Sequence, residues 1–146
     1  MLRIIDVEAD GRDEILYGGT TIGAEVMRVG VFYRGHLRPV VRAGQDPFLV
    51  VQGLDPGILA TRQPAGAALG CEDRTEDGVS DLVQVSVRPK GRKFKWTRVS
   101  YSLEGSAAMT MKRETGKLRN DPDTRDVDEV VREARQLTSH CEVEAE

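Results

Sequence analysis

Asp6 and Glu8 come nearest to a catalytic spacing in this chain. They follow the apolar pair Ile4-Ile5 in a segment with strand character, and residues two apart on a strand project from one face. Two carboxylates so placed can jointly hold a divalent cation for phosphoryl chemistry.

The run Ile4-Ile5-Asp6-Val7-Glu8-Ala9-Asp10-Gly11 resembles the first motif of the DEDD-type 3′→5′ exonucleases. In that motif hydrophobic residues precede Asp-x-Glu and a glycine follows. The resemblance implies a metal-dependent nuclease with Asp6 and Glu8 as ligands. The family also needs a second Asp in an Asn/aromatic context and a late His-x4-Asp, whereas His140-Cys141-Glu142-Val143-Glu144 runs on to Ala145. The chain is short for that fold and lacks its strand–helix alternation. The same residues form a strand closed by an Asp10-Gly11 turn, and that is the expectation adopted.

Other constellations are weaker. Gly18-Gly19-Thr20-Thr21-Ile22-Gly23 has the glycines of a phosphate loop, but Ala24-Glu25 stands where Lys and Ser or Thr would follow, and Glu25 would repel phosphate. A flexible break is expected there. Nucleophilic catalysis needs a base beside Ser or Cys. The two histidines, His36 and His140, fall in an expected turn and in the tail. Cys71 and Cys141 belong to no Cys-x-x-Cys or Cys/His pattern, so a structural zinc is not expected; two cysteines allow one disulfide, and free thiols in a reducing compartment are the simpler reading. No catalytic, metal or cofactor-binding residue is assigned, and no cofactor is expected.

The strongest local signal is charge. Leu82–Leu103 contains no Asp or Glu but carries Arg88, Lys90, Arg92, Lys93, Lys95 and Arg98, with Phe94 and Trp96 among them. Cations interleaved with rings are what single-strand nucleic-acid binders use. Val26–Arg42 is also free of acid, so Arg28, Arg34, Arg38 and Arg42 would extend such a surface. Two other readings use the same residues. In one, the rings enter a second packed layer while the cations are solvated. In the other, the hairpin docks on an acidic protein surface.

The elements that must position these residues are mostly strands. Val83, Val85 and Val87 alternate with polar residues, and Thr97, Val99, Tyr101 and Leu103 alternate with Trp96, Arg98, Ser100 and Ser102. The two arms read as a hairpin turning at Pro89-Lys90-Gly91-Arg92, with Val83/Val85/Val87 and Val99/Tyr101/Leu103 on one inner face. Leu2–Val7, Glu14–Tyr17, Val26–Tyr33, Leu37–Arg42, Phe48–Val51 and Ala107–Met111 read as further strands, Pro39 arguing for an edge. Ile58–Gly70 gives conflicting signals. Val127, Val130, Val131, Ala134 and Leu137 share one helical stripe, and Asp121-Pro122-Asp123-Thr124 offers caps.

The fold expected is mainly β (α+β): an antiparallel β-sandwich or small open barrel with one C-terminal amphipathic helix. Residues 1–120 form the β-rich part, residues 121–139 the helix packed on it, and residues 140–146 an acidic tail. A core of Ile5, Val29, Val31, Leu49, Val51, Val83, Val85, Val99, Tyr101 and the helix stripe is expected. At 146 residues the chain can bury one such core. A net charge of −3 excludes whole-surface attraction to nucleic acid or anionic membrane, so any such contact must be local.

The N-terminus lacks a signal-peptide core, and no apolar run is long enough for a bilayer. An intracellular location, or one within an assembled particle, is therefore expected, with no membrane partner. The functional expectation is a non-enzymatic binding or assembly module, such as a structural component of a virion. It would meet a protein partner or another copy through the basic hairpin Arg88, Lys90, Arg92, Lys93, Phe94, Lys95, Trp96 and Arg98. The alternative is single-stranded nucleic-acid binding by that hairpin, and the remote one a metal-dependent nuclease.

Overall fold

The computed structural model describes residues 2–5, 14–21, 24–33, 35–42, 46–47, 49–53, 65–74, 76, 78–91, 93–104, 107–118 and 127–139. Asp6, Glu8, the Asp10-Gly11 turn, Arg92, the Asp121–Thr124 caps, His140, Cys141 and the acidic tail lie outside these residues.

Two sheets and a helix make up the described protein. β1 (Leu2–Ile5), β2 (Glu14–Thr21), β3 (Ala24–Tyr33) and β4 (His36–Pro39) form one antiparallel meander. β5 (Val41–Arg42) and β6 (Asp46–Pro47) leave it for the other sheet, and β7 (Leu49–Gly53) returns to pair with β3. β8 (Ala65–Glu72), β9 (Asp81–Lys90), β10 (Lys93–Glu104) and β11 (Ala107–Lys117) build the second sheet, in the order β6-β5-β11-β10-β9-β8. All described pairings are antiparallel except the two-residue contact of β5 with β11. Neither sheet closes into a barrel among the described residues, so the architecture is an open β-sandwich with one helix, α1 (Val127–Arg135). No described helix is long and apolar enough to cross a membrane.

Local chemistry explains several of these elements. Gly35 adopts φ +78, a value that L side chains resist, and lets Tyr33 pair with His36 across a two-residue turn. Pro39, which has no N–H to give a ladder, ends β4 on the sheet edge. Val40 then bonds its N–H to the Val29 carbonyl at 2.8 Å and is fully buried, pinning the point where the chain changes sheets. Gly18-Gly19, expected as a break, instead lie within β2, paired with Met27 and Val26. β8 resolves the conflict over Ile58–Gly70 for its described part: Ala65–Glu72 is strand.

The second sheet is buried on both faces over part of its length. Leu69, Leu82, Tyr101, Leu103 and Ala108 pack from one face against Val29 and Val40, with Val31, Cys71 and Val99 at the margin. From the other face Ala68, Val85, Val87 and Phe94 meet Leu118 and the helix residues Val130, Val131 and Ala134, with Trp96 and Leu137 at the margin. The expected helix stripe thus packs as read for the residues described. The side chains of Ile5, Leu49 and Val51 lie outside the description.

The hairpin of β9 and β10 has a different register from the one expected. Lys90 pairs with Lys93, so the loop is two residues long, with Gly91 at φ +60. Trp96 therefore faces Val87, Arg98 faces Val85 and Ser100 faces Val83, while Tyr101 faces Leu82 and Val99 faces Gln84. Val83/Val85/Val87 share a face with Phe94 and Trp96, not with Val99/Tyr101/Leu103. One residue of slip moves every side chain to the opposite face.

The segment after α1 is tied to the β8 edge. The Cys71 N–H donates to the Ser139 carbonyl at 3.1 Å, and the Ser139 hydroxyl donates to Glu72 Oε2 at 3.2 Å. A Cβ on Gly70 would collide with Thr138 Oγ1 and the Ser139 carbonyl oxygen. Cys71 is disulfide-bonded, which corrects the expectation of free thiols.

Candidate basic face

The register divides the hairpin cations between two faces. Arg88, Lys90, Lys93 and Lys95 project from the face that carries Leu82 and Tyr101, at the end remote from the sheet-to-sheet core. β11 adds Lys117, paired with Lys95, and Arg113, paired with Val99. Six cations thus share one surface. Arg88, Lys95 and Lys117 stand in a single row across three strands, with the Lys90–Lys93 pair beyond it. Thr97, paired with both Ser86 and Thr115, fills the next row inward.

Arg88, Lys90, Lys93, Arg113 and Lys117 are exposed and Lys95 is half-buried. None of the six forms an ion pair with a described residue. Adjacent strands lie about 4.8 Å apart, and alternate residues on one strand about 6.8 Å. Like charges directly opposite across strands destabilise a sheet.

The opposite face treats its charges differently. Arg98, which sequence alone placed among the binding cations, donates from Nε to Glu114 Oε2 at 2.6 Å and from Nη1 to the Leu137 carbonyl. Its guanidinium lies 5.3 Å from the centroid of the Trp96 ring. Arg74 reaches Glu114 with two bonds of 2.9 and 2.8 Å, and Lys112 Nζ lies 3.2 Å from Oε1. Burial acts to raise the Glu114 carboxyl. Hydrogen bonds from Arg98, Arg74 and Lys112, with the charge of Arg98, outweigh it and hold the group at about 2, against an ordinary 4.5.

Phe94 is 4% exposed and packs beneath α1, and Trp96 lies over Gly116 on the same side. Neither ring shares the face of the six cations. This is the reading in which the rings enter a second packed layer. The docking and nucleic-acid readings, which kept Phe94, Trp96 and Arg98 on the binding surface, are corrected by the register, which turns all three toward the helix. Arg92 lies outside the described residues.

Arg113 and Lys117 were absent from the surface read in the sequence. Glu104 lies between the hairpin and both residues, Glu114 also precedes Lys117, and the strand signal in the sequence reaches only Ala107–Met111. The available signal was Arg113, Thr115 and Lys117 alternating at period two with Lys112, Glu114 and Gly116.

Among the described residues no three His, Cys, Asp or Glu side chains gather as a metal site. Asp6 and Glu8, the carboxylates of the exonuclease-like motif, lie outside the description. What the basic face can do chemically is hold negative charge at fixed spacing on a rigid sheet. No protein-family model, no curated protein and no solved structure matches the chain.

Proposed function

We propose that the protein is a non-enzymatic binding and assembly module that docks an acidic protein surface on the face made by Arg88, Lys90, Lys93, Lys95, Arg113 and Lys117. A place as a structural component of a larger particle, such as a virion, suits this reading. The observation that carries it is the row Arg88–Lys95–Lys117 beside the pair Lys90–Lys93, like charges in direct cross-strand register. Such rows repel internally until an anion sits on them. A partner with clustered carboxylates relieves that repulsion, and the segregation of charge on an acidic chain aims the encounter.

Nucleic acid would also meet the cations, but Phe94 and Trp96 lie on the opposite side and Tyr101 is buried, so no described ring on this face is exposed for base stacking. Binding of polyglutamate and of a single-stranded oligothymidylate at about 0.01 M salt, where the screening length is about 30 Å, tests the reading. Polyglutamate should bind, Lys93→Glu/Lys95→Glu should abolish it, and Trp96→Ala should leave it unchanged. Failure to bind polyglutamate at that salt would remove the proposal. Tighter oligothymidylate binding that falls with Trp96→Ala would replace it by the nucleic-acid reading.

A further inference from the structure

Among the described residues, the outer edge of β11 is paired only at its start. β5 covers Ala107 and Ala108, and no described strand pairs with the outer side of β11 beyond them. The direction of each backbone group follows from one bond. The Leu118 N–H donates to the Phe94 carbonyl at 2.9 Å, so Leu118 and Phe94 form a hydrogen-bonded pair. In an antiparallel ladder such pairs alternate with non-bonded ones. Gly116 opposite Trp96, Glu114 opposite Arg98 and Lys112 opposite Ser100 therefore bond inward to β10. Lys117, Thr115 and Arg113 turn their N–H and C=O groups outward.

These same three residues carry side chains on the basic face, and all three are exposed. The edge residue of opposite sign, Glu114, projects to the other face and is already held by Arg74, Arg98 and Lys112. The edge thus offers three donor–acceptor pairs flanked at each end by an uncompensated cation.

We propose that the edge from Arg113 to Lys117 accepts an extended acidic segment of a partner protein as an added strand. This rests on the docking reading above and specifies how the partner binds. The partner needs carboxylates four residues apart, at the positions opposite Arg113 and Lys117. Residues so spaced on a strand share a face, and cross-strand opposites approach to about 5 Å at Cβ. Two copies meeting through their own β11 edges would place cations beside cations, so the pattern disfavours self-pairing while favouring an acidic strand. A phosphodiester backbone satisfies the cations but cannot continue a peptide ladder.

The test uses the peptide Thr-Glu-Val-Thr-Val-Glu-Thr and a control with the same composition and its two Glu residues adjacent. On the full chain, the first peptide should bind at least about tenfold more tightly than the control. It should also slow amide hydrogen exchange at Arg113, Thr115 and Lys117. Thr115→Pro removes one outward N–H without altering charge, and should weaken the peptide about tenfold while leaving polyglutamate binding intact. Unchanged exchange at the three amides in the peptide-saturated protein overturns strand addition, a readout that needs no variant to fold. If both peptides bind equally and only Lys93→Glu/Lys95→Glu weakens them, docking on the basic face stands and the added strand falls. If no acidic probe binds, both readings fall.

Discussion

Glu114 shows how one carboxylate organises charges that would otherwise repel. Arg74 and Arg98 converge on it from a loop and a neighbouring strand, and Lys112 from two residues away. Because the folded state holds its pKa at about 2, below the ordinary 4.5, folding favours the ionised form. Its contribution is complete above about 4.5 and is lost as pH falls through about 2. Glu114→Gln should lower stability by about 2 kcal/mol at neutral pH, since the charge is lost and one of the two oxygens that accept from Arg74 and Arg98 becomes an amide donor facing a guanidinium. The variant should also lack the part of the acid-unfolding slope that lies in this window, as followed by circular dichroism during acid titration. Gly116 makes a second residue-level case. A Cβ there would come within 2.5 Å of Trp96 Cε2, and Arg98 and the helix restrict any retreat of the indole. Gly116→Ala should therefore cost about 1–3 kcal/mol in denaturant unfolding, although alanine ordinarily favours a strand over glycine.

At the level of elements, α1 and the strap behind it close the second core. Phe94, Val85 and Val87 would face water without α1, and the Arg98–Leu137, Cys71–Ser139 and Glu72–Ser139 bonds fix its end. Reduction, or Cys71→Ser, should lower unfolding free energy by about 3–4 kcal/mol through release of the unfolded chain. The loss should be accompanied by faster proteolysis near Thr138. The helix was legible in the sequence because its stripe is local, a matter of spacing within one segment. The strands of the hairpin were equally legible, but their register was not. Alternation in Val83–Val87 and in Thr97–Leu103 is compatible with two turns differing by one residue, and the choice depends on what covers each face. The two-residue loop with Gly91 at positive φ places Phe94 and Trp96 against the helix rather than in water. Each ring buries roughly 150 Å² or more, about 4 kcal/mol of apolar transfer as an upper estimate, far more than Thr97 could supply. That covering helix lies some thirty residues downstream, so the hairpin alone could not reveal which face it would take.

For the molecule as a whole, the question is why an acidic chain keeps six cations on one face of a sheet. Surface lysines that only solvate an edge can be scattered at little cost. Here Lys95 stands between Arg88 and Lys117, and Lys90 opposite Lys93, so the free protein carries repulsion that a neutral or acidic residue would relieve. A binding role and a merely solvated face therefore predict different consequences for the same substitution. Lys95→Glu should stabilise the isolated protein by about 0.5 kcal/mol, seen as a higher midpoint in urea at low salt and a smaller gain at high salt. The same change should reduce polyglutamate affinity by about tenfold or more, because the central charge of the row is reversed. Gain in stability coupled to loss of binding is the signature expected of a site that retains strain for function. Stabilisation with polyglutamate binding untouched would make the basic face a solvated edge, and the search for the partner surface would move away from β9, β10 and β11.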